Sequence, residues 1–173
     1  MALPIGTKAI DFKLSDGYGK VYTLASFAKS WTVLYFYPKD NTPGCTLEAR
    51  DFTNHAQSFS THGIKVVGIS GGDATSKQNF CNTHHLTIPM LSDTDFSVAK
   101  KYDSYGKSTF FGKEITGVLR TTYIIDDMGK IVKVYEKVNP LGHAKQVSAD
   151  IAKLRAEASM GGRTVHAFKG GGY

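Results

Sequence analysis

The sequence contains few cysteines, only Cys45 and Cys81, and no apolar stretch long enough to span a bilayer. Its first residues lack a charged segment followed by an apolar one, which predicts no secretory signal and a cytoplasmic location, or an organelle after processing. A structural disulfide is not expected in a reducing cytosol. The two cysteines are therefore expected to be metal-binding, catalytic or simply buried.

Runs of like charge are also lacking. Lys and Arg number 21 against 15 Asp and Glu, which gives a net charge of +6. No basic stretch is interleaved with stacking aromatics, so we expect solvated surface and no nucleic-acid site. With 173 residues, 41% of them hydrophobic, the chain can bury one core, which predicts one domain over residues 1–159. The remaining residues, 160–173, are glycine-rich, and we expect a flexible tail there.

Several segments have the apolar pattern of strands. The longest is residues 31–37, WTVLYFY, which is typical of a central strand covered on both faces. The other predicted strands, which include an N-terminal hairpin and a second hairpin later in the chain, are 9–14, 21–24, 64–70, 88–91, 119–125 and 131–135.

The predicted helices alternate with the early strands. One begins at Pro43, capped by Thr42, with Leu47, Phe52 and Phe59 on a shared apolar side. The others are a helix capped by Asp73 that passes Cys81, a short one at 96–102 and a last one at 143–159. The fold class is therefore α/β, with a mixed central sheet flanked by helices.

The segment YPKDNTPGCTLE, residues 37–48, joins the central strand to the first helix. A cysteine in the first turn of a helix meets free backbone N–H groups and the positive end of the dipole, so the thiolate of Cys45 is favoured. Gly44 lets the backbone and a small substrate approach the sulfur. The Thr42 hydroxyl can cap the helix or point towards the thiolate, and these uses compete. The segment thus predicts a nucleophilic cysteine.

The pattern P-x-x-x-T-x-x-C at residues 38–45 matches the active-site signature of the peroxiredoxins. LYFYPKD at 34–40 and TPGCT-x-EA at 42–49 resemble the peroxiredoxin Q branch, also called bacterioferritin comigratory proteins, over residues 3–157. The resemblance implies a thioredoxin-like fold, peroxidase activity towards hydrogen peroxide and organic hydroperoxides, and a sulfenic acid on Cys45. It implies no metal, haem or flavin. Pro38 would shield the sulfur.

The family also has an arginine in a later strand that activates the cysteine and holds the peroxide. Arg120 matches it, and Glu48 matches the family glutamate that orients this arginine. From the residues alone, Arg120 could equally be a charged residue on an edge strand, and Glu48 could equally be an exposed position on the helix.

Many members of the branch carry a resolving cysteine five residues after the first, but that position here is Arg50. Cys81 matches members whose resolving cysteine lies in the next helix, which implies a Cys45–Cys81 disulfide, local unfolding of both helices and recycling by thioredoxin or a similar dithiol. The alternative is a buried free cysteine and resolution by an external thiol. The branch is often monomeric, and we expect a monomer.

Other chemistry fits the residues less well. Zinc at Cys81, His84 and His85 lacks the paired spacing of a structural site, so we expect no metal. A thiol–disulfide oxidoreductase normally has a Cys-x-x-Cys pair, which Cys45 lacks. A redox-responsive binding module that uses the basic surface and the tail is the non-enzymatic alternative. The remaining histidines are expected at the surface: His55, His62, His143 and His166.

Overall fold

The computed structural model describes residues 2–171, and the side chains of residues 110 and 160–171 lie outside that description. Its centre is a seven-stranded sheet of β1 Lys13–Asp16, β2 Val21–Thr23, β3 Trp31–Phe36, β4 Ile64–Ser70, β5 Met90–Ser92, β8 Thr121–Ile125 and β9 Ile131–Tyr135. The order of the strands across the sheet is β2-β1-β5-β4-β3-β8-β9. β4 runs parallel to β3 and β5, and the other pairs are antiparallel. The predicted mixed sheet and N-terminal hairpin are confirmed.

Strand β3 is buried along its whole length because the sheet is covered on both faces. Val33 and Tyr35 pack in one core cluster, while Leu34 and Phe36 pack in the other. This alternation follows from the period of two in a strand. The continuous apolar run in the sequence therefore indicated the middle of the sheet.

The described residues form five α-helices beside the sheet: α1 Pro43–Asn54, α2 Ala56–Thr61, α3 Ala74–His84, α4 Ser97–Lys101 and α5 His143–Gly171. Apolar side chains of α1, α3 and α5 share one core cluster and therefore cover the same face of the sheet. The Asp73 carboxylate accepts a hydrogen bond from the amide of Ser76 at 2.8 Å, so the predicted cap of α3 is confirmed. Within the described part of the chain, no helix has the length and apolar character needed to cross a membrane.

The predicted apolar face of the first helix was wrong at Leu47, which is 45% exposed. The buried side chains of α1 are instead Cys45, Glu48, Ala49 and Phe52, which follow the three- and four-residue spacing of one helical face. Leu47 is five residues from Phe52 and lies off that face. Helix α1 also ends at Asn54, so Phe59 reaches the core from α2.

A further hairpin was missed, which lies between the two predicted ones and is formed by β6 Tyr105–Phe110 and β7 Lys113–Val118. Most of β7 is exposed, so its sequence lacks the alternation that a half-buried strand shows.

The last helix extends to Gly171, beyond the predicted end at residue 159. The side chains from residue 160 onward lie outside the described residues, so the flexible tail at 160–173 stays a prediction.

Candidate active site

Cys45 lies in the first turn of α1, directly after the loop that leaves β3. Thr42 occupies the N-cap position with extended backbone (φ −83°, ψ 153°), and its carbonyl accepts the first helical hydrogen bond from the amide of Thr46 at 2.8 Å. The Thr42 side chain makes no cap hydrogen bond with the helix, and its hydroxyl donates to the carbonyl of Lys39 at 3.0 Å. The predicted position of Thr42 is therefore confirmed, and its predicted side-chain cap was wrong.

Arg120 brings a positive charge to the buried sulfur. Cys45 is 1% exposed, and its Sγ accepts a hydrogen bond from Nη2 of Arg120 at 3.3 Å. Nη1 of the same guanidinium donates to Oε1 of Glu48 at 2.7 Å. The planar guanidinium thus contacts a thiol and a carboxylate at once, which is a geometry that arginine provides and lysine does not.

Gly44 makes this approach possible. A Cβ atom on residue 44 would lie 3.2 Å from Nη2 of Arg120 and 3.5 Å from a ring carbon of Pro140. The absent side chain therefore keeps the space between the helix start and the guanidinium open. The sequence predicted close approach at Gly44, and the approaching group within the protein is Arg120.

Glu48 is fully buried, so its alternative interpretation as an exposed helix position was wrong. Burial raises the pKa of its carboxyl to about 7, while the charge of Arg120 opposes the shift. Its Oε2 is without a hydrogen-bond partner among the described residues. Burial by itself would lower the pKa of the Arg120 guanidinium, but the charges of Cys45 and Glu48 outweigh burial and raise that pKa overall.

Cys81 lies in the middle of α3 and is 7% exposed. Burial raises its pKa to about 11, with further contributions from the charges of Asp40 and Asp16. Both Cys45 and Cys81 are free thiols in the structure. Cys81 is thus present as a protonated thiol at neutral pH, unlike the thiolate that a nucleophile requires.

The remaining predicted residues have mixed outcomes. Pro38 is exposed in the loop after β3. Nε2 of His84 lies 2.8 Å from the side-chain oxygen of Asn41, and no group of three metal-binding side chains occurs within the described residues. His166 lies outside the residues whose side chains are described.

His143 was wrongly predicted at the surface. It is 2% exposed, with Nε2 lying 2.8 Å from Oγ1 of Thr122, and its ring meets Phe52 and Tyr135 edge-on. Burial lowers its pKa, which favours the neutral ring. His143 is the first residue of α5, so the spacing of apolar residues within the helix did not indicate that it would be buried.

Sequence reasoning also missed a buried ion pair between Asp40 and Lys77, whose Oδ2 and Nζ atoms are 2.9 Å apart. Lys77 precedes Cys81 by four residues and therefore shares its helix face, and Asp40 precedes Cys45 by five. The position of Lys77 on the same helix face as Cys81, for which a buried thiol was one interpretation, was the available indication of a buried lysine.

Comparison with known proteins decides the family. The AhpC/TSA family model matches residues 5–134. The chain belongs to this family. A bcp protein of Helicobacter pylori is 42% identical over 145 residues, which cover 84% of this chain and 95% of the relative. Peroxiredoxin Bcp of Xanthomonas campestris is 36% identical over 160 residues, 92% of this chain and 97% of the relative.

Solved structures place the chain in the same branch. The Xanthomonas campestris bacterioferritin comigratory protein, whose structures concern its alkyl peroxide reduction activity, is 35% identical with a TM-score of 0.75. The match covers 85% of this chain and 92% of that chain. The predicted peroxiredoxin Q resemblance and the thioredoxin-like fold are thus confirmed. The chain is a peroxiredoxin, an enzyme that reduces peroxides with a thiol reductant.

Proposed function

We propose that Cys45 is the peroxidatic residue and that its thiolate attacks the terminal oxygen of a hydroperoxide. The S–O bond forms as the O–O bond breaks, so that Cys45–S⁻, ROOH and one proton yield Cys45–SOH and ROH. The observation that carries the proposal is the 3.3 Å contact between the buried Sγ and Nη2 of Arg120. A fixed cation at the reacting sulfur stabilises the thiolate and the charge that develops on the departing oxygen.

Neighbouring groups support this step in different ways. Glu48 orients the guanidinium through the 2.7 Å hydrogen bond, and Gly44 leaves it room. The Thr42 hydroxyl and the free amides of the first helical turn are donors for the peroxide oxygens. For Thr42 this role requires its hydroxyl to leave the Lys39 carbonyl when substrate binds. Pro38, in the preceding loop, shields the sulfur once a substrate is in place.

Cys81 is the proposed resolving residue. Its thiol and the sulfenic acid of Cys45 give a Cys45–Cys81 disulfide and water, and a dithiol such as thioredoxin returns both thiols while being oxidised to its own disulfide. Because both sulfurs are buried in helices, the start of α1 and the later part of α3 must unwind to join them. Unwinding also exposes Cys81, which removes the burial that holds its pKa near 11.

Intact mass after one equivalent of hydrogen peroxide tests this scheme. The reduced wild-type protein is expected to lose two mass units, since two hydrogens leave when the disulfide forms. Cys81→Ser is expected to hold a sulfenic acid on Cys45 that dimedone traps. An unmodified Cys45 in both proteins contradicts the assignment of the nucleophile. A stable sulfenic acid in the wild type means that an external thiol resolves it.

The substrates proposed are hydrogen peroxide and organic hydroperoxides, and the alkyl peroxide activity of the Xanthomonas relative supports the second class. Two free cysteines are compatible with a reducing compartment such as the cytoplasm. The monomeric state and the expected absence of nucleic-acid, membrane and metal partners stay predictions.

A further inference from the structure

The ion pair between Asp40 and Lys77 joins the two segments that carry the cysteines. Asp40 lies in the loop before α1, five residues before Cys45, and Lys77 lies in α3, four residues before Cys81. The side chain of Lys77 is 0% exposed and that of Asp40 3% exposed. This pair is therefore a direct, water-shielded connection between the proposed peroxidatic and resolving segments.

Hydrogen bonds satisfy the carboxylate of Asp40 from every side. It accepts from the hydroxyls of Tyr37 at 2.7 Å and Ser76 at 2.6 Å, as well as from Lys77 at 2.9 and 3.2 Å. Removing or separating one partner of a buried, hydrogen-bonded ion pair strongly destabilises the folded protein, because the other charge stays buried without compensation. The pair is thus costly to break.

The ammonium group of Lys77 is held equally well. Its Nζ donates to Oγ of Ser70 at 3.0 Å and to the carbonyl of Gly72 at 3.3 Å. A Cβ on residue 72 would lie 2.2 Å from Oδ2 of Asp40, so only glycine fits beside the pair. The end of β4 and the loop after it therefore enclose the ion pair and fix its position.

The later part of α3 is held by apolar packing of Phe80 and Cys81 and by exposed hydrogen bonds. Asn82 accepts one of these from the hydroxyl of Tyr18, and His84 contacts Asn41. Exposed hydrogen bonds exchange readily with water and are cheaper to open than buried charged ones. We therefore expect local unfolding of α3 to start in this part, after the buried ion pair at Lys77.

We propose that Asp40 and Lys77 form an anchor that stays intact while the helical turns carrying Cys45 and Cys81 unwind. This inference rests on the proposed Cys45–Cys81 disulfide and gives the two residues a positioning role in it. An extended chain reaches at most about 3.6 Å per residue, so the five- and four-residue segments beyond the anchor span about 18 and 14 Å. Both sulfurs can meet without release of the anchor, which keeps their effective concentration high.

The test separates the two chemical steps in the full chain. Rapid mixing with hydrogen peroxide, followed by acid quench, alkylation and mass spectrometry, gives the rate of sulfenic acid formation and the rate of its conversion to disulfide. The variants are Lys77→Met and the double variant Asp40→Asn/Lys77→Met. Lys107→Met is the matched control, because its ion pair with Glu114 is exposed.

Loss of the anchor is expected to leave sulfenic acid formation within about twofold of wild type and to slow disulfide formation by roughly tenfold or more. Lys107→Met is expected to change neither rate. Lys77→Met leaves Asp40 charged and buried, and if that variant fails to fold, the double variant carries the test without an uncompensated charge. A merely structural role would lower both rates together.

Disulfide formation at the wild-type rate or faster in the double variant overturns the inference, and so does an equal loss in both steps. Hydrogen exchange provides a second readout on the oxidised wild type. The amides of Ser76 and Lys77, which donate to Asp73, are expected to stay protected while those of residues 78–84 lose protection. Uniform loss along α3 also overturns it. If the wild type itself forms no Cys45–Cys81 disulfide, the proposed resolution step fails, which is distinguishable from failure of the anchor alone.

Discussion

Cys45 and Cys81 carry the same thiol and are buried to a similar degree, with 1% and 7% of their surface exposed, but their surroundings differ in charge. A guanidinium donates to the sulfur of Cys45 in the first turn of a helix. Cys81 lies in mid-helix, where burial and the charges of Asp40 and Asp16 raise its pKa to about 11. Because the two sulfurs are buried to a similar degree, we expect the charge placed beside each of them to decide which one reacts with peroxide.

Removing the cation at Cys45 is expected to have the largest effect. Arg120→Met takes away the donor to Sγ, and the rate constant of the reaction with peroxide is expected to fall by about 100- to 1000-fold, as for loss of a donor at a developing charge. Stopped-flow measurement under single-turnover conditions checks this. The control is Arg50→Met, which changes an exposed arginine on α1, the helix that carries Cys45. A loss below about fivefold would mean that the guanidinium is not what distinguishes Cys45.

Glu48, whose carboxyl group contacts Arg120, is expected to make the stability of the folded protein depend on pH. The folded protein holds the Glu48 proton more tightly than the unfolded chain, because burial raises the pKa from 4.5 to about 7. Stability is therefore expected to fall as pH rises through this window, by about 2–3 kcal/mol between pH 5 and pH 8. Urea unfolding at both pH values measures this change.

Glu48→Gln has no proton to lose and is expected to remove most of that pH dependence. Glu157→Gln changes an exposed glutamate and serves as the control. Identical slopes of stability against pH for Glu48→Gln and wild type would show that Glu48 does not titrate in this range.

Gly44→Ala is expected to have the smallest of these effects. The added methyl group would lie 3.2 Å from Nη2 of Arg120 and would displace the guanidinium by a few tenths of an ångström. We expect peroxide reduction to slow by about tenfold, because a small displacement at a reacting centre is costly. Gly117→Ala is the control, since a Cβ there meets no atom within 4 Å. Equal rates for the two variants would exclude a spatial role for Gly44.

The sequence predicted the features that depend on local patterns. The apolar run at β3, the cap at Asp73 and the cysteine at the start of α1 all follow from residue types at fixed spacing. Peroxiredoxin membership rested on the signature around Cys45, which the comparisons confirm. These features require no knowledge of which distant segments meet.

Features that depend on long-range contact were harder to predict. Glu48 and Arg120 are 72 residues apart, and only a family resemblance suggested that they meet. The burial of His143 and of the Asp40–Lys77 pair arises from packing between distant segments. The local sequence pattern does not mark His143, and for the pair it offers only the position of Lys77 on the helix face of Cys81. The hairpin of β6 and β7 was missed because little of it is buried.

The most direct test of the central claim examines the two thiols one at a time. The reduced Cys81→Ser and Cys45→Ser proteins are each treated with a substoichiometric amount of hydrogen peroxide in the presence of dimedone, and peptide mass spectrometry locates the adduct. The adduct is expected on Cys45 in Cys81→Ser, where no second thiol competes with dimedone, and none is expected on Cys81 in Cys45→Ser. An adduct on Cys81 alone, or in equal amount in the two proteins, would contradict the assignment of Cys45 as the residue that attacks the peroxide.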